Sequence, residues 1–470
     1  MKRFFPLLLI IALLLTICPN IGIADGVRQS GDFFYKIKGN GTVAITGYTW
    51  PGTVEDIYIP RMLDGYTVTE ISAEAFANIE YDSYGQYSPC TASFASHYAA
   101  GSLVIPDTVT TIGEKAFWGV AFNAKSITIP SSVQYIGAGA FSNMEGVEQF
   151  VVASNPVYAS IDGVLYHKQS KTLVAFPSDK SFDRSSDYGY RFTIPDGIRA
   201  IGDYAFFNIG VRDIVYIIDI PKSVEEIGDW TFAYAGLRTG EIKIDHLTRA
   251  AFDLPESVTQ IGKGAFYQTG LTYYAFGKRI DASRIQYARI GLENSQLTTL
   301  PSYSFFGVNT IQISFPSNIQ AIESYAFSNA DLRYSTASKD AIVFPSSLRI
   351  IEHHAFEKAY LYNQLQFEND SRLEEVGDYA FGQAKYFGEG VLQLPDNLKK
   401  IGDGAFRFEQ SRMLTAIAIP PSVTTIGDSI CDRSSIYLDV EPGSYAALWA
   451  SENGYMLQQS GQEDMSWLAD

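Results

Sequence analysis

Cysteine is nearly absent from this chain of 470 residues, which holds only Cys18, Cys90 and Cys431. A fold of this length cannot rest on so few thiols, so packing must hold it together. Histidine is also scarce, at five positions: His97, His167, His246, His353 and His354. His353-His354-Ala-Phe-Glu357 is the one cluster with a metal-like look, and there is no His-Glu-x-x-His or Cys-x-x-Cys. No nucleophile elbow and no complete phosphate loop occurs either, which leaves no motif for nucleophilic, zinc-dependent or nucleotide chemistry. Basic residues are outnumbered, 35 against 52 acids. An acidic chain is a poor partner for nucleic acid or an anionic membrane.

Long apolar runs are missing as well, apart from one near the start. Lys2-Arg3, the run Leu7 to Leu15 and the end Gly22-Ile23-Ala24 read as a signal peptide over residues 1–24. The run is short for a membrane span, and the bulky Ile17 before Cys18 argues against lipoprotein processing. Cleavage after Ala24 leaves 33 basic and 52 acidic residues, a net charge of about −19.

What the chain has in abundance is one phrase, Ile-Pro-x-x-Val-x-x-Ile-Gly-x-x-Ala-Phe, clearest at Ile105 to Phe117, Ile129 to Phe141, Ile194 to Phe206 and Ile220 to Phe232. Twelve copies end at Phe76, Phe117, Phe141, Phe206, Phe232, Phe266, Phe305, Phe327, Phe356, Phe381, Phe406 and a degenerate Cys431, several at a period of 22 to 26 residues. Repetition at this spacing specifies a solenoid in which each unit buries its apolar side chains only against its neighbours. In Ser126-Ile127-Thr128-Ile129 apolar and polar residues alternate, as in a strand. Pro130 ends that strand. The glycine after the second Ile is replaced by Ser72, Glu323, Glu352 and Pro301 in other copies. Since proline cannot adopt a positive φ, close packing between coils is the expected reason for glycine there. The acid that follows it, as in Asp203, Asp229 and Asp403, suits the cap of a short helical turn carrying Ala-Phe. Asp378, Asp403 and Asp428 in successive coils could instead attract calcium, but capping accounts for them without a metal.

The phrase resembles the BspA-like leucine-rich repeat family over about nine-tenths of the chain, from near Phe33 to near Tyr455. Asp32 to Tyr48 looks like that family's N-terminal hairpin, Leu63 to Ile71 like its first repeat, and Ser444 to Gly454 like a closing helix. The resemblance implies an α/β solenoid of about twelve coils, mostly parallel β with short helical turns. It implies one domain over residues 25–456, with an N-terminal β-hairpin cap (25–58), a C-terminal helical cap (436–456) and a tail at 457–470. It also implies a secreted or cell-surface protein without enzymatic activity or cofactor, which binds an extracellular matrix protein or host glycoprotein. A structural protein of the producer's own envelope and a glycan-binding component of a polysaccharide-handling system remain open alternatives.

Binding residues are sought where the repeat is interrupted. Tyr81, Tyr84, Tyr87 and Tyr98 lie among Ser and Gly between Phe76 and Phe117, as in a recognition loop or a self-packed one. Tyr273, Tyr274, Lys278, Arg279, Arg284 and Arg289 form a basic and aromatic stretch suited to an anionic glycan, or simply a solvated loop. The runs Ser160 to His167 and Thr172 to Pro177 read as a β-hairpin with a structural role. Cys90 and Cys431 are separated by some ten coils of about 4.8 Å, too far for a disulfide. In the Phe place, Cys431 reads as a small buried hydrophobe.

Overall fold

The computed structural model describes residues 26–78, 99–180, 190–209, 216–235, 237–238, 250–269, 274–275, 278–279, 288–310, 312–332 and 341–458. Two compact units are present: residues up to 141 with 152–156, and residues 142–151 with 157 onward.

In the first unit, strands Val27–Ser30, Phe33–Ile37 and Thr42–Tyr48 form an antiparallel meander. The meander's last strand is joined in parallel by Tyr66–Ile71, then Thr111–Ile112, then Tyr135–Ile136. The meander thus covers the edge of the first coil, where unpaired backbone would otherwise face water. Asp64 and Gly65 (φ 50° and 88°) make the tight turn between Met62–Leu63 and Tyr66–Ile71. Hydroxyls of Ser30 and Tyr35 both donate to the Asp64 carboxylate, each at 2.7 Å.

The second unit stacks coils in which every Ile before the glycine aligns with its equivalent. Ile201 pairs with Ile227 and Ile227 with Ile261 in one parallel sheet, and a further sheet runs from Thr299–Leu300 to Thr425–Ile426. The expected hairpin is present, with Val164–His167 antiparallel to Thr172–Ala175. It also replaces a coil. Leu173 pairs with Ile201 in the place of an Ile, and Phe176 occupies the place of a Phe.

Phenylalanine rings build the core. From Phe176 through Phe206, Phe232, Phe266, Phe305, Phe327, Phe356 and Phe381 to Phe406, successive ring centroids are 4.9 to 5.6 Å apart. Phe76, Phe117 and Phe141 make the same stack in the first unit, at 5.0 and 5.5 Å. Each contact adds on the order of 0.5–1.5 kcal/mol to the burial of the ring. Cys431 is buried as expected, and burial pushes its thiol up to about 12.

Two helical expectations are corrected. The Ala-Phe segments are not helical turns. Tyr204 and Asn208 have φ of 57° and 56°, left-handed values that a right-handed helix cannot continue through. The amides of Tyr204, Phe206 and Asn208 donate to Asp229, Thr231 and Ala233 of the next coil at 2.9 Å, while Ala205 and Phe207 close short turns onto Gly202 and Tyr204. Hydrogen bonding between coils therefore wins over hydrogen bonding along the chain. Similarly, the C-terminal end is finished by a strand and not by a helical cap. Tyr437–Val440 pairs in parallel with Leu414–Ile419, and Leu457–Gln458 adds beyond it. The only α-helix among the described residues, Tyr445–Glu452, lies in the connection between these two strands, with the Ser444 hydroxyl accepting from Ala447 N–H.

Candidate functional site

The position just before Ala-Phe is left-handed in every copy, from Glu74, Lys115 and Gly139 in the first unit to Tyr204, Trp230, Gly264, Tyr303, Tyr325, His354, Tyr379, Gly404 and Ser429 in the second. At this position Gly139, Gly264 and Gly404 serve conformational freedom. The glycine after Ile has an ordinary φ and serves proximity, as expected. A Cβ on Gly262 would lie 2.3 Å from Asp229 N, and one on Gly402 would lie 2.4 Å from Asp378 N.

The side chains at this position are exposed or half-buried in each unit, so it forms a surface row within each stack of coils. In the second unit the rings of Tyr303, Tyr325, His354 and Tyr379 stack at 5.0, 4.8 and 5.5 Å, with planes within 6° of parallel. All four side chains are half-buried. The Lys263 ammonium sits 5.5 Å over the outer face of Tyr303, and Tyr379 packs on Gly404, whose added Cβ would meet the ring at 2.6 Å. The faces of the rings are therefore occupied, leaving the hydroxyls of Tyr303, Tyr325 and Tyr379 as the polar tips of the row, while His354 Nδ1 is buried. His354 Nδ1 lies 3.2 Å from Glu357 Oε2. Burial, then the neighbouring Tyr325, raises the Tyr303 phenol above its ordinary value.

Beside this row runs a ladder of acids. Asp203 Oδ1 accepts the amide of Asp229 at 2.8 Å, Asp378 Oδ1 that of Asp403 at 2.9 Å, and Asp403 Oδ1 that of Asp428 at 2.7 Å. The acids are thus caps between coils, not caps of helical turns. Where glutamate replaces glycine the polarity reverses: Glu323 accepts from Ser302 N and Oγ, and Glu352 from Ser324 N and Oγ. Among the described residues no group of three or more His, Cys, Asp or Glu could hold a metal ion.

On another face, where the short strands ending in Ile lie, opposite charges alternate. Glu374 lies 3.0 Å from Lys399 and 3.8 Å from Arg349, and Glu375 lies 2.7 Å from Lys400. Exposed pairs of this kind are worth little in stability.

Of the residues expected to bind, Tyr81, Tyr84, Tyr87, Tyr98, Tyr273 and Arg284 lie outside the described residues. Tyr274 and Arg279 are brought together as cross-strand partners in a two-residue hairpin, with Ala275 opposite Lys278. Arg289 belongs to a different element, the coil strand Ala288–Gly291, opposite Ala251 and Gln312. The row of Tyr303, Tyr325, His354 and Tyr379 was missed because each reads as a variable position in its own copy. Aligning the copies on Ala-Phe brings the four into one column.

The BspA type leucine rich repeat region matches residues 90–178, 178–287, 286–342 and 334–438. Similar solved structures include a leucine-rich repeat protein from Eubacterium ventriosum, 17% identical over 76% of this chain and 93% of its own, with a TM-score of 0.40. One from Bacteroides ovatus is 17% identical over 92% of this chain and 99% of its own, at 0.37. A leucine rich cell surface protein from Faecalibacterium prausnitzii is 16% identical over 87% of this chain and 96% of its own, at 0.26. No curated protein sequence matches significantly, and no helix among the described residues is long and apolar enough to cross a membrane. Because the repeat region is matched over most of the length, in register with coils that stack Ile on Ile and Phe on Phe, the chain belongs to the BspA-type leucine-rich repeat family.

Proposed function

We propose that the protein is a secreted or cell-surface recognition module without enzymatic activity, which binds an extracellular protein or glycoprotein. One observation carries this reading, the division of labour within a coil. Ring stacking and backbone hydrogen bonds complete each coil internally, so interruptions and surface rows are free to vary for binding. In the hairpin the register sets Tyr274 opposite Arg279, with Lys278 next along the strand, a sequence of aromatic and basic residue types that suits an anionic glycan or an acidic protein segment. The tyrosines at 81, 84, 87 and 98 belong to the same proposal, as does removal of residues 1–24 on export.

The test is binding of purified residues 25–470 to immobilised fibronectin, fibrinogen, mucin and a glycan array, with and without calcium. Saturable binding that is lost on deleting residues 80–100 or 272–296 supports recognition through the interruptions. Silence across the panel, with retention on the producer's own envelope, would replace this reading with a structural one.

A further inference from the structure

We infer that the row Tyr303, Tyr325, His354 and Tyr379 is a binding edge for an extended, neutral, β-1,4-linked polysaccharide; this deepens the recognition reading and rests on it. Three observations lead there. First, the tips of the row are unspent. Among the described residues no protein group hydrogen-bonds the hydroxyls of Tyr303, Tyr325 or Tyr379, and none of the three is buried away from solvent. Some other described tyrosines do have partners, Tyr35 with Asp64, Tyr58 with Asp56 and Tyr360 with Lys385. A phenol both donates and accepts, which is the pattern a sugar hydroxyl presents in return, whereas His354 Nδ1 is buried beside Glu357 and takes no part.

Second, the spacing selects the kind of polymer. Successive rings are 4.8 to 5.5 Å apart. An extended polypeptide advances about 3.3 Å per residue and presents the same side every second residue, at about 6.6 Å, so it falls out of step within two coils. A flat β-1,4-linked chain advances by about the length of one sugar ring per residue and turns over at each link, so one sugar meets each coil, with the same edge recurring at every second coil, and the chain stays in step. Third, the closed ring faces and the charge narrow the ligand further. Lys263 and Gly404 cover the two ends of the stack, so neither a sugar face nor a cation can stack there, and contact is made by hydrogen bonds at the ring edges. Exposed Asp378 and Asp403 beside the row, on a chain of net charge −17, disfavour a polyanionic glycan.

The experiment is calorimetric titration of the full chain with cellohexaose and with chitohexaose, using maltohexaose, a curled α-1,4 chain, as control. The variants Tyr325→Phe and Tyr303→Phe/Tyr325→Phe/Tyr379→Phe keep the rings and their stacking while removing the hydroxyls. Saturable binding of at least one β-linked hexamer, weakened by about tenfold or more in the triple variant at an unchanged melting temperature, is expected. Absence of binding to both β-linked hexamers overturns the inference, as does equal affinity in wild type and triple variant or equal affinity for maltohexaose. Should the triple variant lose stability, the single Tyr325→Phe variant decides by the same criterion, with a smaller loss. Binding to host glycoproteins that persists when the hexamers fail would leave the recognition reading standing and remove only the polysaccharide.

Discussion

Ser324 and Glu352 meet across two adjacent coils, with both the amide and the hydroxyl of Ser324 donating to Glu352 Oε2, at 3.0 and 2.7 Å. Asp203 and Asp229 solve a related problem in the opposite sense, because there the acid of the earlier coil accepts the amide of the later one. Both arrangements satisfy a backbone N–H that the turn before Ala-Phe leaves without a partner in its own coil.

The two arrangements are expected to be worth similar amounts. Glu352→Ala removes the acceptor of two donors and should destabilise by about 1–2 kcal/mol, while Glu352→Gln, which retains an acceptor oxygen, should cost less. Asp403→Ala leaves the amide of Asp428 unpaired on an exposed edge, where water can compensate, and should cost about 1 kcal/mol. Urea midpoints of the three variants test this ordering, which fails if Asp403→Ala is the most damaging.

Two kinds of glycine position should respond differently to substitution. At Gly113 a Cβ would lie 2.3 Å from Ala73 N and 2.6 Å from Ser72 C, both backbone atoms that cannot step aside. Gly113→Ala should therefore force the coils apart at a cost of about 1–3 kcal/mol. Glu74, at φ 58°, is an exposed left-handed residue of the neighbouring coil. Glu74→Gly relieves local backbone strain while adding freedom to the unfolded chain, and should change stability by less than about 1 kcal/mol. Equal effects in thermal unfolding would mean that the two positions have been confused.

The N-terminal meander should loosen in acid. Hydrogen bonds from Tyr35, then Ser30, hold the Asp64 carboxyl below its ordinary value, and the same contact raises the Tyr35 phenol. A carboxylate depressed in the folded state contributes stability that is fully present above its unfolded value of about 3.9 and is lost as pH falls through the folded value. Amide-exchange protection of Val27–Ile37, taken relative to the intrinsic exchange rate at each pH, should accordingly be high at neutral pH and fall below about pH 4 in the wild type. In Asp64→Asn the acid-dependent step should be reduced. An identical pH profile in the two proteins would remove Asp64 from the account.

The stacking direction and core of this solenoid are legible in Ile-Gly-x-x-Ala-Phe, because burial permits few residue types at each place. Ile201, Ile227 and Ile261 do align, and the Phe rings do stack. The left-handed row was not legible, because solvent accepts any side chain at that position and the coil imposes φ on Lys115, Trp230 and His354 alike. Only Gly139, Gly264 and Gly404 betrayed it. The coil formed by the hairpin was half legible. Its strands announce themselves by alternation, whereas the match of Leu173 and Phe176 to core places rests on the short signal Ala175-Phe176. The candidate row shares its register with the core and its composition with the surface, so only alignment of the copies exposes it.

The strongest expectation concerns Phe206, which is fully buried between Phe176 at 4.9 Å and Phe232 at 5.2 Å. Phe206→Ala opens a ring-sized gap in a column that is continuous on both sides, and backbone ladders on either side keep the coils from collapsing into it. The cost should be about 3–5 kcal/mol. Phe206→Leu fills most of the volume but loses both ring contacts, and should cost about 1–2 kcal/mol. Met413→Ala, at a side chain 50% exposed in the same unit, should cost less than about 0.5 kcal/mol. Because each coil is stabilised by its neighbours, amide exchange in Phe206→Ala should quicken in the adjoining coils that contain Phe176 and Phe232 more than near Phe406. Comparable urea midpoints for Phe206→Ala and Met413→Ala would show that the ring column is not what holds the coils together.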